Sequence, residues 1–161
     1  MKDLELLKSL EAIFHLETRS FVRYVYEAAS PLAKDDWGRM LAGRLEAWYI
    51  ETRGHLGALV RLLEAEDFVP GPSNWPLSHA QCNLLAYSRI VDIVRSRMAP
   101  TFAAIEREAL KLESWPEASE AVAELLKTER KLLDEFEKLA DDRPSDEPET
   151  GPRRQVSANF W

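Results

Sequence analysis

Two short helical segments hold the residues with the most chemical content: Thr52-Arg-Gly-His55 and Glu129-Arg-Lys-Leu132. Residues three apart on a helix project the same way. A Glu-x-x-His at both places would therefore aim two carboxylates and two imidazoles into a helical core, and this is how bundles hold a pair of metal ions. The chain keeps the histidine of the first segment and the glutamate of the second.

Further ionisable groups fall near the same level elsewhere. Counting by threes and fours from Phe14 to Phe21 puts Glu17 on the buried side of the first helical segment. Glu51 and Thr52 flank the apolar stripe of the second, and His55 lies on it. Ser88, Asp92, Arg95 and Ser96 are the candidates in the third, and Glu129 in the fourth. Each such group costs several kcal/mol to bury without a partner, so polar residues near the middle of every helix call for an explanation beyond packing. Arg95, turned inward, would place positive charge beside Glu17 or Glu129, because a guanidinium neutralises the same acids as a metal ion does.

Apolar residues at three-four spacing predict four helices, over residues 2–29, 35–66, 78–112 and 116–140. Pro31 follows the first, Asp35 and Asp36 are candidate caps for the second, and Pro100 lies inside the third. Ser114 with Glu117 has the spacing of a capping box for the fourth. The third stripe begins at Leu84. No alternating strand pattern occurs, so the predicted fold is an all-α, antiparallel four-helix bundle. Residues 67–76 include three prolines and a glycine and form a loop. Ten extended residues reach at most ~33–36 Å, short of the ~50 Å of a helix of this length. The prolines favour a loop that climbs part of the bundle and leaves the second and third helices parallel.

Residues 141–161 form a polar, proline-rich tail expected to be flexible. Its closing Phe160-Trp161 pair is a candidate docking element for this fold, a neighbouring subunit or another protein, beside the plainer reading of an unanchored terminus.

The 161 residues suffice for one domain with its own core. A net charge of −7 argues against a nucleic-acid partner. Cys82 is the only cysteine, which excludes an internal disulfide and suits a reducing compartment. With no signal peptide and no apolar run near the ~18 residues of a membrane span, the expected location is the cytoplasm. Cys82, His15 and His79 lack neighbours that would complete a catalytic or metal-binding group, and neither a phosphate loop nor a nucleophile elbow is present.

On its helix lengths, hairpin pairing and two half-motifs, the stretch from Leu4 to Leu139 resembles the ferritin-like superfamily, specifically its small bacterial rubrerythrin-type domains. The resemblance implies two iron or manganese ions held by a carboxylate from each of the first and third helices and Glu-x-x-His from the second and fourth. Carried over by position, Glu17, His55 and Glu129 match ligands, and Glu51 adjoins a ligand position. Thr52 and Leu132 stand where a glutamate and a histidine are expected, and no glutamate occurs near Arg95 and Ser96. The resulting expectation is a ferritin-like bundle with an eroded di-metal site, working as a non-catalytic binding or structural module without a cofactor. The alternative is an iron- or manganese-dependent oxidoreductase or iron-handling protein that uses Glu17, Glu51, His55 and Glu129 as ligands. Apolar residues off the core stripe (Phe21, Val22, Tyr26, Tyr49, Ile50 and Leu56) predict a homodimer.

Overall fold

The computed structural model describes residues 2–29, 31–83 and 85–143. Ser30, Leu84, Phe160 and Trp161 lie outside the described residues. The described chain is all-helical: α1 (Leu4–Thr18), α2 (Phe21–Glu27), α3 (Asp36–Glu64), α4 (Tyr87–Ala109) and α5 (Pro116–Asp141), with 3-10 turns at Leu77–Cys82 and Leu110–Leu112. None of these helices is long and apolar enough to cross a membrane.

The first predicted helix is interrupted. Arg19 takes φ −96° and ψ 4°, and Ser20 is extended at φ −59° and ψ 151°, its hydroxyl accepting from the Arg23 amide to cap a new helix. A serine at an N-cap satisfies one of the amides that the first turn leaves unpaired. This restart resets the helical phase, so Phe21, Val22, Arg23, Tyr24 and Val25 are all buried. Phe21 is buried as the count from Phe14 predicts, Val22 is brought into the core by the restart, and Leu56 of α3, also expected off the core stripe, is buried too. Tyr26 and Tyr49 stack on each other with ring centroids 4.4 Å apart, and Ile50 remains exposed.

The third predicted helix begins later than expected. Leu32 pairs with the strand-like residue Ala86, and the Leu32 amide donates to the Leu85 carbonyl at 2.9 Å. That carbonyl is thereby diverted from helical bonding, and regular helix starts at Tyr87. At the other boundaries, the Asp35 carboxylate caps α3 through the Gly38 amide. The start of α5 has Trp115 at its N-cap, with no side-chain cap bond from Ser114.

The loop after α3 runs alongside α1. The Lys2 amide donates to Glu66 at 2.8 Å, the Gly71 amide to Glu11 at 2.7 Å, and Arg19 Nε to Ser73 Oγ at 2.9 Å. Trp75 then meets Tyr24 edge-on. Progressing from the start of α1 to α2, this loop returns the chain to the level where α3 began. α3 and α4 thus run in the same direction, both ending beside the start of α1, where Leu63 and Leu112 share a core cluster with Leu7.

Apolar side chains form two clusters. One gathers Phe21, Leu41, Trp48, Met98 and Phe136, the other Leu10, Ile13, Leu59, Ile105 and Leu125. On α3 and α5 the cluster changes at one residue each, Thr52 and Glu129, and from α1 to α2 it changes just after Glu17. All three are buried, and with Arg23 they form a polar layer across the interior.

Candidate functional site: a buried carboxylate pair neutralised by Arg23

Four elements supply this layer. Glu17 comes from the last turn of α1, Arg23 from the capped first turn of α2, Trp48 and Thr52 from α3, and Glu129 from α5. Glu129 and Glu17 are 0% and 1% exposed, and Arg23 5%. Arg23 Nε donates to Glu17 Oε1 at 3.3 Å and Nη2 to Thr52 Oγ1 at 3.1 Å. Nη1 lies 3.6 Å from Glu27 Oε1, and the guanidinium sits 4.9 Å over the Tyr49 ring. The Thr52 hydroxyl donates in turn to the Trp48 carbonyl at 2.9 Å, which leaves its oxygen to accept from Arg23. Trp48 Nε1 donates to Glu129 Oε2 at 2.7 Å.

The two carboxyls are near enough that each influences the proton affinity of the other. Glu17 Oε2 and Glu129 Oε1 are buried without a hydrogen-bond partner. Burial and a neighbouring like charge both disfavour the ionised form of a carboxyl. Burial raises Glu17, with Arg23 opposing the rise. Burial and then the charge of Glu17 raise Glu129 well above 4.5. Glu17 has the guanidinium beside it, whereas Glu129, raised further by Glu17 and accepting from Trp48, is the more readily protonated of the two.

Of the candidate ligands singled out by sequence, the fold brings together Glu17 and Glu129, and it adds Thr52. His55 is half-buried and bonded through Nε2 to Thr128 Oγ1 at 2.9 Å. Glu51 is exposed, 3.9 Å from Lys131. Asp92 is exposed opposite Arg143. Arg95, expected inside, pairs with Asp141 at 2.5 Å on the surface, and at the level of the polar layer α4 presents Met98 and Phe102. The interior cation is Arg23, one charge inside the run Phe21-Val-Arg-Tyr-Val25. On an unbroken helix Arg23 would lie roughly 120° around the axis from Glu17, and only the restart at Ser20 brings the two to one side. A lone cation in an apolar run is the sequence signal that could have found it.

A pair of divalent ions requires about four carboxylates and two imidazoles. The layer offers two carboxyls, one already bound by a guanidinium and the other capped by an indole N–H. Among the described residues no three His, Cys, Asp or Glu side chains are grouped so as to share an ion. This donor set does not fit a di-metal centre. What it can do is hold one proton and one internal ion pair, tying α1, α2, α3 and α5 into a single register. The chain matches no family model, no characterised protein and no solved structure.

Proposed function

We propose that this chain is a ferritin-like, antiparallel four-helix bundle in which a guanidinium and a shared proton do the neutralising that cations do in a metal-bearing relative. On this reading it is a non-catalytic binding or structural module. The observation that carries the proposal is the buried bond from Arg23 to Glu17, which spends the inner face of a would-be ligand on a residue of the chain itself. The direction shared by α3 and α4, and the loop that climbs beside α1, support the ferritin-like connectivity.

Anaerobic loading with Fe(II) or Mn(II), followed by desalting and elemental analysis, tests this reading. No stoichiometric ion and no thermal shift are expected. Two ions per chain, lost on Glu129→Ala, would establish the iron- or manganese-dependent oxidoreductase or iron-handling alternative.

The proposed assembly is a homodimer in the cytoplasm, its contact face centred on the stacked Tyr26 and Tyr49 with the exposed Ile50. Size-exclusion chromatography with light scattering is expected to give twice the 18.4 kDa chain mass. Ile50→Glu should shift the protein to the monomer, and a wild-type monomer at high concentration would end the dimer proposal.

A further inference from the structure

A cleft of about 780 Å³ opens between α1, the start of α2, the Leu77–Cys82 turn and the middle of α4. Its size falls in the range of small-molecule sites, which pair an apolar body with a few placed polar groups. The apolar wall is made by Leu16, Phe21, Pro100 and Ala104. Around it stand three arginines, Arg19, Arg97 and Arg107, and two histidines, His15 and His79. The one carboxylate in the lining, Glu108, is already engaged by Lys111 at 2.8 Å.

The arginines are not spent on acids. Arg97 lies 5.0 Å over the Phe21 ring, which holds its guanidinium at the cleft wall. Arg19 uses Nε on Ser73, a neutral partner. Arg107 is exposed and makes no ion pair among the described residues. His79 is 6% exposed and its Nδ1 is buried without a hydrogen-bond partner. Burial and the neighbouring Arg97 hold His79 below the ordinary imidazole value, so the ring is neutral and adds a donor or acceptor without further charge. In a chain of net charge −7, three arginines beside one satisfied carboxylate form a local reversal of sign.

We infer that this cleft binds a small organic anion with an apolar body, its charged head on Arg97 and Arg19 beside Phe21 and its body along Leu16, Pro100 and Ala104 toward Arg107. Planar guanidinium forks suit both carboxylate and phosphate heads. The cleft lies apart from the Arg23 layer, so the inference stands whichever way metal loading comes out.

Calorimetric titration of the full chain with octanoate, octyl phosphate and the uncharged 1-octanol provides the test. At least one anion should bind saturably at one site and more tightly than octanol, and the tighter of the two anions identifies the head group. Arg19→Gln should weaken that anion roughly tenfold, the loss of one charge-assisted bond, with the far-UV circular dichroism and thermal midpoint unchanged. Arg97→Gln should weaken it again. No saturable binding of either anion, octanol binding as tightly as both, or unchanged affinity in both variants would overturn the inference.

Discussion

Arg23→Met is expected to lower the unfolding free energy by about 3–5 kcal/mol, the usual consequence of removing one partner from a buried ion pair. Arg23 and Glu17 are almost fully buried, so water cannot take over the solvation that the guanidinium supplies. Methionine fills much of the same volume, which separates the electrostatic loss from a cavity. The deprived carboxylate can respond only by binding a proton, beside a Glu129 whose own proton affinity is raised. The loss should therefore be largest at alkaline pH and shrink in acid. Urea unfolding followed by circular dichroism at pH 7 reads the effect, and a change below about 1 kcal/mol would mean that the bond from Arg23 to Glu17 contributes little.

Glu129→Gln is expected to stabilise the protein by about 1–3 kcal/mol at pH 9 and to leave it nearly unchanged at pH 4.5. The sign follows from the raised folded-state value of Glu129, caused first by burial and then by Glu17. Between the ordinary 4.5 and that higher value the folded state holds a proton that the unfolded chain releases. The contribution of Glu129 is thus complete in acid and is lost as pH rises through the folded value. Glutamine keeps an oxygen to accept from Trp48 Nε1 and an N–H to donate toward Glu17, and it never titrates. Paired urea titrations from pH 5 to 9 measure the difference. Equal slopes for wild type and variant would show that Glu129 is ionised in the folded protein.

Periodicity made the long helices legible. Leu41, Leu45, Trp48, Thr52 and Leu59 of α3, and Val122, Leu125, Glu129, Leu132 and Phe136 of α5, are buried as their spacing predicts. A long helix amplifies a three-four pattern over many turns, so local exceptions average out. The first helix was not legible as two, because one serine in a helical pattern carries a weak signal until its hydroxyl is seen capping Arg23. That single restart moved Arg23 into the core and brought Val22 inside. Arg95 went the other way: its partner, Asp141, is distant in sequence, and pairings between helices leave no mark on periodicity. Glu51 and His55 flank Thr52 closely in sequence, yet only Thr52 reaches the layer, because 3.6 residues per turn gives each position its own direction.

A double-mutant cycle between Arg23→Met and Glu17→Gln bears most directly on the proposal that a guanidinium does the neutralising in this layer. If Arg23 neutralises Glu17, the two losses overlap, and urea unfolding at pH 7 should give a coupling energy of about 2–3 kcal/mol. Losses that add to within about 0.5 kcal/mol would contradict it, leaving the charge of Glu17 to be balanced by something other than Arg23.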